Sequence, residues 1–458
     1  MQLYSKKDVL VVGGGTSGFI AAIAAARNGA SCLIVEQYGF LGGTMTASLL
    51  PHCQTFYDSK GNQIIKGIPQ ELIERLEKEK GALGHLPRPP IYWGTDTPYD
   101  GEVYKKITDD MVKEEGVDVL FHTFACEPII YGQELKGIII QNKSGRQIIL
   151  ADITIDCTGD GDIAAFAGAP YKKGRDSDGL CQGVSFQFEM LNVDLDKTAT
   201  YIQSTKNKDK NILWALSDSG VIGKKLDSKK ESFVRLVGTI PKDIIQKDKL
   251  PADFEVFTME SIREGRVIMG HPHVLNVDAT NAKSLTEANF KGRRKVHKFV
   301  SVLKKYIPGF ENAYLNRIAP HIGVRETRRI IGDYVLTSDD IKSSKVFFDS
   351  VAKGAFPIDV HSTEKLGDED NIFEYLESAY TIPFRCLIPK KLKNILVAGR
   401  CISTDREANG SIRVTPTCMA LGQAAGTAAS LCVLKQVSPR ELEIKELQNL
   451  LKSQGVVL

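Results

Sequence analysis

The chain has 458 residues, and Lys+Arg 59 against Asp+Glu 56 leaves a formal net charge of +3. That balance gives no overall excess of positive charge to hold a polyanion, so nucleic acid is excluded as a first partner. Hydrophobic content of 42% with 25% charged residues excludes a disordered or fibrous chain, and the length allows two or three domains at about 150 residues each. No apolar run is expected to supply the roughly 20 residues of a membrane-spanning helix. Met1–Lys7 lacks the charged, apolar and cleavage regions of a secretory signal. The nine cysteines are odd in number, scattered and without a C-x-x-C pair, against a disulfide framework, a zinc site or an iron–sulfur cluster. A cytoplasmic protein with no membrane partner is the expectation.

The first residues to carry chemistry are near the start. Asp8–Val12 is a short aliphatic run of the kind that forms a strand buried on both faces. Gly13-x-Gly15-x-x-Gly18 follows and opens a segment rich in Ala and Ile, Ser17–Asn28, that favours helix, with Gly29 at the place of a left-handed cap. Ser31–Glu36 reads as the next parallel strand, and Glu36 stands 18 residues beyond Gly18, close to the roughly 20 expected of a ribose-binding acid. Strand, glycine turn, helix and acid in that order define a dinucleotide-binding unit. Gly13 permits the turn, Gly15 lets backbone approach a pyrophosphate, and Gly18 allows helix to pack on strand. The free N–H groups of the helix start carry about +0.5 charge toward the phosphates.

Further along, Gly42-Gly43-Thr44 suits a loop passing close beside an extended cofactor. Residues 52–104 depart from the minimal nucleotide fold, with a helix predicted at Pro69–Lys80 and a proline-rich loop at Leu86–Pro98. Gly116–Ala125, Gly137–Ile140 and Ala151–Asp156 read as strands, the last leading into Cys157-Thr-Gly159-Asp-Gly-Asp162. Gly159-x-Gly161-x-x-Ala164 is no second nucleotide unit, because the polar Lys172–Arg175 stands where a strand with a terminal acid is required; no NAD(P)H site is expected. Gly183–Met190 alternates like a strand, residues 200–255 read as a surface excursion rich in Lys and Asp, and Ser284–Lys305 reads as a helix ending before Pro308-Gly309. Asn394–Ala398 is a strand leading to Gly399-Arg400. A helix of small residues, Thr417–Leu431, follows, and a start near Thr415-Pro416, with Pro416 at its first position, would aim its positive end at developing negative charge. Gly422 and Gly426 inside it cost about 1 kcal/mol each relative to Ala, which points either to a bulky ligand or to close helix packing.

Together these segments resemble the FAD-dependent oxidoreductases of the glutathione-reductase structural superfamily, in the branch of fumarate-reductase-like and thiazole-synthase-like proteins. The matching residues are GGGTSG at 13–18 with Glu36, Gly42-Gly43, DCTGDGD at 156–162, GVRETRRIIGDY at 323–334, and AGRCIS with SIRVTPTCMALGQAAG between 398 and 426. The resemblance implies an α/β fold: a Rossmann-like FAD-binding domain of the GR2 type from residues 1–164 and 382–458, and an inserted mixed α+β substrate or cap domain from 165–381. The 52–104 excursion would join that cap or a subunit interface, which leaves a homo-oligomer open. It implies non-covalent FAD, with Gly13, Gly15, Thr16, Ser17, Gly18 and Glu36 at the ADP part and Gly42, Gly43 and Thr44 alongside. Ala125 and Cys126 would lie near adenine, and Thr158, Gly159, Asp160 and Asp162 near pyrophosphate and ribitol. Gly399, Arg400, Arg413, Thr417, Leu421 and Gly422 would approach from the returning segment. No His stands in Gly42–Thr46, against covalent flavin attachment.

For chemistry, His321-Ile-Gly-Val-Arg325-Glu-Thr-Arg328-Arg329 concentrates three guanidiniums and an imidazole. On a strand, His321, Gly323, Arg325 and Thr327 share one face, with Arg325 as anchor for a carboxylate and His321 as general acid or base. The alternative is a buried ion-pair network through Glu326. Arg328 and Arg329 are expected in structural pairs. His52 is a second candidate for proton transfer, and Arg385, Arg400 and Arg413 are candidates to touch substrate or brace the cofactor. His271-Pro-His273 lacks a third ligand nearby, so no metal is expected. The expected activity is hydride transfer between a small polar organic substrate, anions included, and flavin N5. The alternatives are a C=C reductase of the fumarate-reductase type and a flavoprotein that relays electrons without its own substrate. Direction of reaction and electron acceptor stay open.

Overall fold

The computed structural model describes residues 1–87, 94–204, 221–223, 234–263, 265–364 and 370–458. Parts of the expected 86–98 loop and 200–255 excursion lie outside those residues. The opening strand runs Gln2–Val12, longer than its aliphatic half; the first half is largely exposed and polar, whereas Val9–Val12 is buried. A helix, Gly18–Arg27, follows the glycine turn, and Gly29 takes φ +88° just beyond it. Val9–Val12 pairs in parallel with Cys32–Val35 on one side and with Ile153–Asp156 on the other. Asp118–Leu120 extends the parallel sheet beyond Cys32–Val35, and Ile395–Val397 adds to Thr154–Asp156 at the opposite side. An antiparallel ribbon, Phe124–Tyr131 and Glu134–Asn142, leans on the first half of Gly145–Asp156. Five parallel strands thus end together, and their carboxyl ends bring Gly13, Glu36, Cys157 and Ala398 to one edge. A crevice at that edge is where α/β sheets bind ligands.

The closing helix runs Thr415–Lys435, with Pro416 at its second residue rather than its first. It lies against Gly18–Arg27, and the contact is closer than a side chain permits. A Cβ on Gly422 would stand 2.2 Å from the Ser17 carbonyl oxygen and one on Gly426 2.0 Å from that of Ala21. The two glycines are therefore required by helix packing and not by a bulky ligand. The same helix is long and apolar enough by composition to cross a membrane, contrary to the sequence expectation, but 89% of its most apolar window is buried inside the protein. Its apolarity is that of a helix with core on all sides.

Between these parts lies a six-stranded antiparallel sheet in the order Val221–Gly223, Val234–Thr239, Val256–Arg263, Arg266–Met269, Phe188–Leu191, Tyr314–Ile318. A helix, Ala282–Tyr306, covers it, started by Asn281, whose side chain accepts from Ser284 N. Phe299 from this helix packs on Phe254 and Phe188 with ring centroids 4.6 and 6.3 Å apart. The expected strand Gly183–Met190 is broken: Val184–Ser185 pairs with His273–Val274, whereas Phe188–Leu191 enters the large sheet.

Apolar packing divides differently from the expected 165–381 insertion. One core joins residues 9–169 to residues 330–456 and includes Cys53, Phe56, Leu72 and Tyr99 of the 52–104 excursion. The other joins residues 184–322. The excursion and the stretch from Ile330 to Ile382 belong by packing to the nucleotide-type core.

Candidate active site

A cavity of about 1310 Å³ opens at the carboxyl ends of the parallel strands. Its wall takes Gly13, Gly15, Thr16 and Ser17 from the glycine turn, Glu36 and Tyr38 after the second strand, and Gly43 and Thr44. It continues through Ala125, Thr158, Gly159, Asp160 and Asp162 to Gly399, Arg400, Arg413 and Thr415. From the far side come His52, Asp253, His271, His273, His321, Arg325, Asp359 and His361. Among the expected cofactor residues, Gly18, Gly42, Cys126, Thr417, Leu421 and Gly422 do not line it. Gly18 and Gly422 are held by helix packing, and Gly42 N instead donates to Gly14 O at 2.9 Å, pinning the two glycine loops together.

At the nucleotide end, Glu36 is 5% exposed and accepts from Gly14 N at 2.7 Å and Tyr38 N at 2.8 Å. Burial raises its pKa, and these backbone donors oppose the rise. A carboxylate has about four lone-pair sites, so two remain for hydroxyl donors. Asp156 is buried at the end of its strand, accepts from Thr158 Oγ1 at 2.7 Å and Ala164 N at 2.9 Å, and so fixes the Thr158–Asp162 turn. Asp160 holds Arg400 Nη2 at 2.6 Å and Thr327 Oγ1 at 2.7 Å. The closing helix presents its N-terminus, Thr415 and Cys418, to the same space.

Whether these residues fit a dinucleotide is decided at the glycines. At Gly13 a Cβ would stand 2.6 Å from Cys157 O, and at Gly18 1.8 Å from Gly13 O, so the protein itself forbids side chains there. At Gly15 the nearest atom would be Gly43 Cα at 3.8 Å, an ordinary contact. Gly15 lines the cavity and no neighbour among the described residues excludes a side chain there, so its bare backbone is left open to a ligand. Arg400 Nη1 and Arg413 Nε, from two residues of the same wall, are buried without a protein partner. Bare backbone, a ribose-type acid, a helix start and unpaired guanidinium donors fit an extended, anionic dinucleotide.

At the other end the stretch from His321 to Thr327 is extended but is not a strand; it makes one bridge, Gly323 to Ser185, before the short strand Arg328–Ile330. His321, Gly323, Val324 and Arg325 nevertheless all line the cavity, whereas Glu326 and Thr327 turn inward and are buried. Nδ1 of His321 lies 2.6 Å from the Tyr38 hydroxyl. Burial lowers the His321 pKa, the Asp160 carboxylate opposes that and Arg400 adds to it; burial likewise raises that of Tyr38. Both are neutral near pH 7, and the ring's tautomer decides which of the two donates across this contact.

Arg325 donates Nη1 to Gly183 O at 2.7 Å and Nη2 to Nε2 of His273 at 3.2 Å. Burial, with Arg413 nearby, lowers its pKa to about 10, which leaves it charged. The ion-pair network expected as the alternative exists but excludes Arg325: Glu326 pairs with Arg329 at 2.5 Å and with Arg406 at 3.4 Å. Arg328 pairs with Asp162 at 2.7 Å. Arg413 is paired to Asp359 at 3.1 Å, and His361 lies 3.2 Å from the same carboxylate. His52 stands with Nδ1 2.5 Å from Glu260 and Nε2 3.8 Å from Asp96, so it is held between two carboxylates. Arg385 pairs with Asp349 and does not line the cavity. No group of three or more metal-ligating side chains occurs among the described residues.

Sequence reasoning missed Tyr38, His273, Asp359 and His361 as wall residues. Two of them had a signal: Asp359-x-His361 has the i, i+2 spacing that puts side chains on one face of an extended segment; Asp359 lies on the strand Ile358–Val360 and His361 directly follows it.

The fold and site define a dinucleotide-binding α/β enzyme with a chemically equipped pocket beside the nucleotide. The sequence model of the FAD dependent oxidoreductase family matches residues 8–451, and the chain belongs to that family. It is an FAD-dependent oxidoreductase, and its cofactor is FAD. No curated protein sequence matches it. Among solved structures it is similar to a geranylgeranyl bacteriochlorophyll reductase-like protein from Thermoplasma acidophilum (14% identity, TM-score 0.48, 98% of this chain and 84% of that one). It is also similar to p-nitrophenol 4-monooxygenase from Pseudomonas putida (9%, 0.48, 96% and 83%) and to the flavin-dependent brominase Bmp2 (11%, 0.46, 98% and 83%).

Proposed function

We propose that the chain transfers a hydride between a small polar organic substrate and FAD held without a covalent bond in the nucleotide arm of the cavity. The observation that carries this reading is Arg325, a charged guanidinium facing the cavity with no carboxylate within 4.0 Å among the described residues, beside the neutral His321. An unpaired cation at a buried site is costly, and a substrate anion supplies its partner. FAD, when bound, supplies the hydride acceptor or donor at N5. Gly13 to Ser17 and Glu36 would hold its ADP part, Thr158 to Asp162 and Arg400 its middle, and Arg413 to Cys418 the approach to its ring. Arg325 orients the substrate with the guanidinium hydrogens that Gly183 and His273 leave free. His321 takes the substrate proton at Nε2, in the tautomer in which Nδ1–H donates to the Tyr38 oxygen. His52 is less suited to proton transfer, since Glu260 already occupies Nδ1. We read residues 1–164 and 382–458 as the FAD-binding domain in the GR2 arrangement and the 184–322 sheet and helix as the substrate cap, with 330–381 a strap on the former. Oxidation of substrate is our reading over NAD(P)H-driven reduction; it rests on Gly159-x-Gly161-x-x-Ala164 being followed by the polar Lys172–Arg175 and not by a strand ending in an acid.

The test is anaerobic: purified yellow protein is mixed with a panel of hydroxy acids, amines, sugars and steroids, and the flavin absorbance is followed. Bleaching by a member of the panel, lost in Arg325→Ala with flavin retained, supports the reading. Failure across the panel, with bleaching only by a partner protein, would favour the electron-relay alternative.

A further inference from the structure

The charges around Arg325 can be paired off one by one. Arg413 is neutralised by Asp359 at 3.1 Å, and Lys295 by Asp253 at 2.9 Å. The three imidazoles that complete the cluster are neutral at pH 7: burial, reinforced by nearby guanidiniums, pushes His271 down to about 3 and also lowers His273 and His361. His273 accepts from Arg325 at Nε2, and its backbone N and O are tied to Asp253 and Lys295 at 3.0 and 2.8 Å. His361 spends its Nε2 on Asp359. Arg325 is left without an ion pair of its own among the described residues; the acid that acts on it, Asp359, is already paired to Arg413.

Polar groups surround that charge, and apolar side chains line the cavity beside them. Leu275 approaches Gly183, whose carbonyl accepts from Arg325; a Cβ on Gly183 would stand 2.5 Å from Leu275 Cδ2. Phe373 is the cross-strand partner of Asp359, and both line the cavity. Phe356 and Leu285 line it as well. Among the described residues of this cluster, the other cations, Arg413 and Lys295, already have carboxylate partners.

We propose that the substrate is an organic monoanion, with one carboxylate or equivalent oxyanion on Arg325 and an uncharged apolar body packed along Leu275 and Phe373. The inference rests on the reading of Arg325 as substrate anchor and narrows it, setting aside the dicarboxylates that a fumarate-reductase-type enzyme uses. Losing a charge-assisted hydrogen bond costs about 1.5–3 kcal/mol, or roughly 10- to 150-fold in affinity.

The experiment needs no turnover. Oxidised holoenzyme is titrated with acetate, hexanoate, phenylacetate, succinate, phthalate and the neutral phenylacetamide, reading the visible spectrum of the bound flavin and the thermal midpoint. Hexanoate or phenylacetate is expected to bind at least tenfold more tightly than acetate, succinate, phthalate or the amide. Arg325→Gln should weaken that binding by roughly 10- to 150-fold, the range given by the lost charge-assisted bond. Arg325→Lys, which keeps the charge and loses the fork, should fall between. Phe373→Ala should weaken phenylacetate and leave acetate unchanged. Tighter binding of either dianion, or equal binding of amide and acid, overturns the proposal on the wild-type protein alone, whether or not the variants fold. If a neutral compound bleaches the flavin while no acid binds, hydride transfer stands and the monoanion falls. If the acids bind through Arg325 but no substrate of any class bleaches the flavin, the anion site stands and the hydride reading falls.

Discussion

The hydroxyl of Tyr38 sits 2.6 Å from Nδ1 of His321, two residues that come from opposite sides of the cavity and lie 283 positions apart. The contact couples the phenol to the tautomer of the ring. Replacing His321 by Gln should lower turnover by about 10²- to 10⁴-fold, the usual worth of a general acid or base, with FAD retained. Tyr38→Phe removes one hydrogen bond of about 1 kcal/mol, so a roughly fivefold loss in kcat is expected. Because the phenol oxygen accepts more strongly from the imidazolium than from the neutral ring, its removal should also move the acidic limb of the kcat/KM profile to lower pH. A Tyr38→Phe enzyme with an unmoved profile would remove the positioning role.

Acid stability should report the buried imidazoles. A His whose folded pKa lies below its unfolded value near 6.5 takes up a proton on unfolding, so stability rises with pH across the gap between the two. For His271, held at about 3, the contribution is complete above pH 6.5 and is lost as pH falls toward 3. Between pH 6.5 and 5 the loss is about 2 kcal/mol at 1.36 kcal/mol per pH unit. Urea unfolding at the two pH values checks this, and His271→Asn should flatten the dependence. An equally steep slope in that variant would place the titrating group elsewhere.

Glu36→Ala is expected to weaken FAD binding by roughly tenfold, as one lost hydrogen bond to a charged acceptor should. It also strands Gly14 N, so the apoprotein should lose about 1–3 kcal/mol of stability. Calorimetric titration of apoprotein with FAD separates the two effects, and unchanged affinity would remove the ribose role.

Gly422→Ala addresses a helix contact and not the cofactor. Its Cβ would meet the Ser17 carbonyl at 2.2 Å, an overpacking expected to cost about 1–3 kcal/mol or more. The loss should be the same with and without FAD. A loss confined to the loaded protein would return Gly422 to the cofactor site.

The nucleotide-binding half was legible because it is local. Val9–Val12, Gly13 to Gly18, Cys32–Val35 and Glu36 lie within 36 residues, and each obeys a periodicity or turn rule that needs no distant partner. The substrate side was legible only as a composition of His and Arg near 321–329. Its geometry depends on pairings across the fold: Arg413 with Asp359, Arg325 with His273, Tyr38 with His321. The period-two reading placed His321, Gly323 and Arg325 toward one pocket but missed the break within 183–190 and the lack of a strand at 321–327, since alternation shows that a segment is extended but not which neighbour it meets. Gly422 was readable as an anomaly, but its cause, Ser17, is visible only once the two helices are together.

Ser17 donates through its hydroxyl to the Ala398 carbonyl, 381 residues away, and the closing helix seals the same junction. A ribosome making this protein exposes the glycine turn some 381 residues before the carbonyl that Ser17 needs. The flavin pocket cannot be complete until that segment has been made, and the first strands must avoid wrong pairing throughout the wait.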